Sequence, residues 1–419
     1  MLQKWTLITI VLSVFQWLCI AQIQAFELTS DQLAPLNLLP TSLSPAKYQR
    51  DLYFNNVTLA DGLNQSSIYA IERDEYGFTW LGTQDGLHRF DGHKAELVKL
   101  SKTDIPHYRF IKTLKIINNT LFIGTTEGLV AIELASGVKH YFPTLDLKIN
   151  TIEEVKQQIW LGTAKGLYIL NQHNLTIEKQ LNVSTDICQQ TLRTNKLHCS
   201  NDTRAILYQA NKNKVWLGTV NGLYTFDMTT KKASYIKVDF EHPNQLSSND
   251  IRTLFLDNLN QVWVGTFDGL NQYKENTKSF QRYLTDPDVT VHTIDAIDTI
   301  TSNKIKSISQ DKKGYLWVAT TRGLNRSDMP INSNNKPVKK WFHFNHQSQT
   351  KNALLSNFIR SSYADKEGRI WLGTNKGLSV TNIYRTQTNV IRSFNGDSQL
   401  SYILSYKQDN HDNHWLGSR

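Results

Sequence analysis

Residues 370–378 read IWLGTNKGL, that is Ile370, Trp371, Leu372, Gly373, Thr374, Asn375, Lys376, Gly377 and Leu378. Two glycines, a threonine and a lysine this close together have the composition of a loop that cradles phosphate. Such a loop, however, joins a strand to a helix N-terminus through one glycine-rich turn. Here a second strand pattern follows, and the lysine is exchanged for other residues when the stretch recurs. Recurrence is its main property. The chain carries WLGTQDGL from residue 80, LFIGTTEGL from 121, IWLGTAKGL from 159, VWLGTVNGL from 215, VWVGTFDGL from 262, LWVATTRGL from 316, the stretch quoted, and HWLGSR ending at residue 419. The aromatic positions Trp80, Phe122, Trp160, Trp216, Trp263, Trp317, Trp371 and Trp415 stand 42, 38, 56, 47, 54, 54 and 44 residues apart. A period of this length is that of propeller blades of four strands each.

One unit shows how a blade would be built. IRTLFLD (residues 251–257) is rich in branched and aromatic residues and reads as a first strand. Asn258, Leu259 and Asn260 turn the chain, QVWVGTF is a second strand, Asp268-Gly269 a tight turn, LNQYKE a third strand and SFQRYL a fourth. Other copies open the first turn with aspartate and close it with glycine three residues later, at Asp74–Gly77, Asp311–Gly314 and Asp365–Gly368. The carboxylate accepts a backbone N–H and the glycine tolerates positive φ. The glycine before each leucine serves the second hairpin in the same way. The tryptophan ring is wide enough to fill the wedge between blades, which cannot bury their faces singly. The glycine two residues after it removes a side chain where a neighbour comes close, with Ala319 as one tolerated exception. Beyond the N-terminal leader, no apolar period of 3.6 residues is sustained over a helix length. The expectation is an all-β, seven-bladed β-propeller of four-stranded blades over residues 50–397, with the beginning of an eighth repeat unit at 398–419. KYQRDLYFNNV (residues 47–57) reads as an extra strand that helps close the ring.

The first 25 residues have a different character. Lys4 is the only charge before Glu27, the following run to Ile20 is almost wholly apolar, and small residues stand at Ala21 and Ala25. That is the layout of a signal peptide over residues 1–25, with a proline-containing linker over 26–49. The apolar run is short for a membrane span of roughly 20 residues. An exported chain in an oxidising compartment makes Cys188 and Cys199 a disulfide closing a short loop. His198 alone does not complete a zinc set, so no metal and no cofactor is expected. The net charge of +9 is spread among acids without a basic arm. This favours a solvated basic surface over a nucleic-acid partner.

The repeats resemble the two-component regulator propeller family, whose pattern is an isoleucine-rich strand, D-x-x-G, and then W-x-G-T-x-x-G-L. SIYAIERDEYGFTWLGTQDGLHRFD (residues 67–91) matches throughout and the other copies match in part, over residues 47–419. The resemblance implies an exported, periplasmic sensor propeller of a transmembrane signalling protein. A membrane helix and a cytoplasmic output would follow, commonly a histidine kinase and in other members a diguanylate cyclase. An intact sensor would not stop inside a repeat, so the expectation is a truncated reading frame. Attachment to the inner membrane, and a homodimer, would belong to the full-length relative.

Function is sought where the copies differ. Three intervals between repeats are long: those around Cys188 and Cys199, from Thr285, and from Ser327. All three are expected between the fourth strand of one blade and the first of the next. Those connections share a face with the turn inside each T-x-x-G, and repeat proteins bind on the face that accepts insertions. The variable turn residues Gln84, Asp85, Glu127, Lys165, Asn221, Asp268, Arg322, Asn375 and Lys376 are therefore the candidates for holding a small polar ligand such as an oligosaccharide. Trp341 and Phe342 are expected to add aromatic faces for sugar rings. The sequence offers no catalytic motif: G-x-S-x-G is missing, and the pairs His343/His346 and His411/His414 read as surface histidines. Two further readings stay open, an exported carbohydrate-active propeller and a protein-interaction scaffold.

Overall fold

The fold was obtained as a computed structural model, which describes residues 52–100, 108–183, 200–236, 242–286, 297–331, 337–346, 352–383, 403–408 and 414–418. The leader and linker, Cys188 and Cys199, and residues 384–402 lie outside the described residues.

Seven antiparallel sheets of four strands follow one another along the chain. Blades one to six run over residues 68–98, 111–141, 149–181, 203–236, 251–283 and 305–344. Within each, the strands are ordered first to fourth, each paired with the next. Blade five matches its sequence reading closely, with strands Ile251–Leu256, Val262–Thr266, Gly269–Lys274 and Ser279–Tyr283. Blade seven takes three strands from the C-terminal side, Ile359–Ala364, Arg369–Thr374 and Leu378–Asn382, and its outer strand from the N-terminal side, Phe54–Val57. Phe54 lies opposite Thr381 and Val57 opposite Leu378. The closing strand expected near residue 54 is thus the fourth strand of the last blade. The first strand of each blade packs on that of the next, and blade seven packs back on blade one, so the ring is closed. The hairpin Ile403–Gln408/His414–Ser418 follows the ring.

The core lies between blades rather than within them. Each of the seven hydrophobic clusters draws on one blade and the next; Trp80 packs with Ile111 and Leu114, and Trp317 with Ile359 and Ile370. The motif tryptophans of the seven blades are buried, from 6% exposed at Trp80 to 0% at Trp263 and Trp317. Removing one such ring costs about 3–5 kcal/mol. The motif glycine serves the same interface. A Cβ on Gly265 would lie 2.6 Å from Ile305 Cγ2, at the start of the next blade, and 2.6 Å from Thr253 Cγ2.

Each motif tryptophan also needs a partner for its indole N–H. Asp74, Asp257, Asp311 and Asp365 accept from Trp80, Trp263, Trp317 and Trp371, each at 2.8 Å. The same carboxylates take the backbone N–H groups of the turn, so one residue fixes both the hairpin and the ring that fills the wedge. Where the aspartate is missing, Gln158 serves Trp160 at 3.3 Å and Gln209 serves Trp216 at 3.1 Å. Blade two has Phe122 in place of tryptophan and so needs no such acceptor.

Candidate functional site

The turn between second and third strands is built identically in all seven blades. The buried threonine hydroxyl donates to the carbonyl of the glycine three residues on, as at Thr374 to Gly377 (2.8 Å), and accepts from the residue between, Lys376 N–H (3.0 Å). Thr83, Thr125, Thr163, Thr219, Thr266 and Thr320 repeat this. Gly377 adopts φ +134°, and a side chain there would meet the Val57 carbonyl of the closing strand at 2.3 Å. With its backbone so fixed, the variable pair is free to differ.

These turns dock on the connections between blades. Gly86 N donates to Arg109 O at 2.7 Å, Ala164 N to Lys148 O at 3.3 Å, Gly269 N to Asn303 O at 2.8 Å and Asn375 N to Phe358 O at 3.2 Å. The structure therefore puts Gln84, Asp85, Glu127, Lys165, Asn221, Asp268, Arg322, Asn375 and Lys376 on one face. Several are engaged by the chain itself. Asp85 pairs with Arg109 Nε (2.5 Å), Asp268 accepts from Asn303 (2.9 Å), Glu127 accepts from Tyr108 N and Gln84 from Gln65. Lys165, Asn221, Arg322 and Lys376 are exposed, as is Phe267.

One insertion is placed differently from expectation. The outer strand of blade six is Trp341–Phe344, after the third strand Gly323–Ser327, so residues 328–340 connect third and fourth strands on the opposite face. Only residues 345–358 run on to blade seven. Trp341 is correspondingly 0% exposed, edge-on to Tyr283 at 5.5 Å, and is core rather than a platform for sugar. Half-buried Phe342 carries the Arg326 guanidinium at 4.7 Å from its ring centre. Of the histidines read as surface residues, His346 is exposed, with Nδ1 2.6 Å from Leu354 O, whereas His343 is half-buried and its Nε2 meets Thr299 O at 2.7 Å. His411 and the side chain of His414 lie outside the described residues. Burial lowers the His343 pKa, so its imidazole is held neutral. Among the described residues no group of three potential metal ligands converges.

Sequence reasoning missed the axial channel. The first strand of every blade carries a bulge after its first residue, so the second is the extra one, and bulges re-aim a side chain. The residues so placed are Tyr69, Lys112, Asn150, Arg204, Arg252, Lys306 and Arg360. They lie where the inner strands leave the inserted face, and they form a ring. Lys112 of blade two is depressed to about 8, first by burial and then by Lys148, Arg360, Lys306 and Arg204, which come from four other blades. Lys306 is lowered by burial and by Arg252, Arg360 and Lys304. Carboxylates at this mouth are Asp202 and Asp250, both held by Arg204 at 3.1 and 3.0 Å. Asp250 also takes Arg252 Nη2, and aromatic faces take others of the cations: Arg360 over Tyr69 (4.4 Å) and Phe358 (4.7 Å), Lys112 over Tyr69 and Phe110 (5.0 Å each). The signal was available in sequence as the residue after each first-strand Ile or Thr, but only a ring turns seven separate positions into one site.

Deeper in the channel, Lys115 reaches Glu153 at 3.2 Å and both interact with Glu72. Burial raises Glu72 to about 7, with Glu153 adding to the shift and Lys115 opposing it. Lys115 itself is raised, chiefly by Glu153.

Three segments, residues 245–268, 299–322 and 353–376, match the two-component regulator propeller. They cover the first two strands and the turn in blades five, six and seven. Histidine kinase P4 of Formosa agariphila is 45% identical over 51 residues, which is 12% of this chain and 4% of that kinase. Among solved structures, the extracellular domains of two hybrid two-component systems of B. thetaiotaomicron superpose with TM-scores of 0.62, at 23% and 20% identity. Each alignment covers 88% of this chain and 45% and 47% of theirs, so the chain spans about half the length of those domains. Virginiamycin B lyase of Staphylococcus aureus has the same fold at a TM-score of 0.54 and 12% identity, over 79% of this chain and 99% of the lyase. At these identities the structural likeness is one of fold. No helix among the described residues is long and apolar enough to cross a membrane.

Proposed function

We propose that this chain, three of whose blades match the two-component regulator propeller, is the exported ligand-sensing region of a membrane signalling protein with a histidine kinase output. The observation that carries the reading is the inserted face itself. Seven turns of fixed backbone and variable side chains surround a channel mouth there, on the face where the chain passes from the fourth strand of one blade to the first of the next. Scaffolds that hold a rigid ring and vary its loops are suited to recognition. The exposed Lys165, Asn221, Arg322 and Lys376 supply polar contacts and Phe267 an apolar face, a combination suited to an oligosaccharide. Ligand on this face would shift packing between propellers or protomers, and the energy available to an output domain is the difference in affinity between the two arrangements.

The test is a thermal-shift and calorimetry panel of neutral and acidic oligosaccharides on the purified chain, together with an alkaline phosphatase fusion after residue 383. Phosphatase activity outside the cytoplasm and saturable binding weakened by Arg322→Ala and Lys376→Ala are the expected results. A fusion active only inside the cell, or a panel with no binding, would sink the reading.

A further inference from the structure

We infer that the mouth of the axial channel is an anion-binding site, and that the ligand is an oligosaccharide bearing carboxylate or sulfate groups. The inference rests on the reading of this face as a ligand face and adds the ligand's charge class. Seven cations gather there, Lys112, Lys148, Arg204, Arg252, Lys304, Lys306 and Arg360, against the carboxylates of Asp202 and Asp250. Like charges this close raise the energy of the empty ring. A fold that needed only a packed channel would fill it with apolar or paired side chains.

The donors are also left open. Arg252 Nε and Arg360 Nε are buried, and neither has a hydrogen-bond partner among the described residues. Aromatic rings position several of these cations, Arg360 between Tyr69 and Phe358 and Arg252 (5.3 Å) and Lys304 (4.9 Å) over Phe267, and Arg252, whose Nη2 donates to Asp250, keeps its Nε for a further acceptor. Guanidinium forks match carboxylate and sulfate geometry, and each charged hydrogen bond contributes more than a neutral one. An anionic group seated on the axis would meet cations from several blades at once. Neighbouring sugar rings would then extend over the surrounding turns, where Lys165, Arg322 and Lys376 are again basic or polar.

The experiment is calorimetric titration of the purified full chain with trigalacturonic acid, a heparin-derived tetrasaccharide, maltotriose, sodium sulfate and sodium phosphate at two salt concentrations. Binding of an acidic saccharide, weaker at high salt, is expected. Arg360→Gln and Lys306→Gln should each weaken it about tenfold or more. Lys312→Ala, the same change of charge in an exposed turn on the opposite face, should leave it unchanged. Both channel variants should melt at or above the temperature of the unmodified chain, since each relieves repulsion, so lost affinity is not lost fold. Acidic-saccharide binding untouched by both channel variants, or reduced equally by Lys312→Ala, overturns the site. If maltotriose binds and the acidic saccharides do not, the inference fails while the sensing reading stands. If sulfate or phosphate alone binds as tightly as the saccharides, the ligand is a free anion and the saccharide assignment is overturned.

Discussion

Asp311 takes three donors at once, the N–H groups of Lys313 (2.9 Å) and Tyr315 (3.0 Å) and the indole of Trp317 (2.8 Å). Burial raises its pKa, so the carboxylate is kept in place at some cost by these bonds. Asp311→Ala leaves a buried indole N–H and two turn donors without partners, and should cost about 2–4 kcal/mol. Gln158→Ala, whose bond to Trp160 is longer and partly exposed, should cost under about 1 kcal/mol. Denaturant midpoints of the two variants compare them directly. Asp365 has the opposite shift: burial pushes it up, but Trp371, the Arg369 backbone and the Arg369 guanidinium outweigh that and lower it. Glu72 gives a pH test. Its carboxyl sits near 7 in the folded chain against 4.5 unfolded, so the folded state binds more protons between those values. The stability from keeping it protonated is complete below pH 4.5 and is lost as pH rises through 7. Glu72→Gln should therefore match the unmodified chain near pH 4 and be more stable by about 1–3 kcal/mol at pH 8, read from thermal melts across that range. The turn role of the aspartates was legible in sequence. Their bond to the tryptophan was written there only as a spacing of six residues, at Asp74/Trp80, Asp257/Trp263, Asp311/Trp317 and Asp365/Trp371.

At the scale of the element, the second strand is the most demanding part of a blade. All five residues of Val262–Thr266 are buried, and Gly265 faces the first residue of the next blade. Gly265→Ala should destabilise by about 1–3 kcal/mol through overpacking against Ile305 and Thr253. Ala319, at the same position in blade six, faces Ser307 across the pair and sits in a cluster with Ile359. Its reversal to glycine should cost about 1 kcal/mol or less, a contrast that equilibrium unfolding can measure. Strand positions were readable because period-two patterning and turn residues are local properties. The path of the third insertion was not, since Trp341 belongs to a short strand whose only sequence signal is an aromatic cluster. Burial against Tyr283, from another blade, decides that it is an outer strand.

At the scale of the whole molecule, the ring depends on four residues from the far end of the chain. Phe54–Val57 covers the edge of Leu378–Asn382, and Asn56 Oδ1 accepts from Ser379 while its amide donates to Ala353 O at 3.0 Å. Removing residues 26–57 should expose that edge, lower the melting temperature by on the order of 5–10 °C and promote association, measurable by calorimetry and light scattering. A closing strand was foreseen from residues 47–57, although no local pattern names its partner. The sequence by itself determined the repeat, the strands of each blade, the turn chemistry and the wedge-filling aromatics, because each is a property of a few consecutive residues. Only the tertiary structure decided which blade the N-terminal strand completes and that Trp341 is core. It alone brought Lys112, Arg204, Arg252, Lys306 and Arg360, one from each of five blades, to a single channel mouth. Their neighbours along the chain are unremarkable in pattern. What makes them a site is the closure of the ring, which converts a period of about fifty residues into a distance across which charges act.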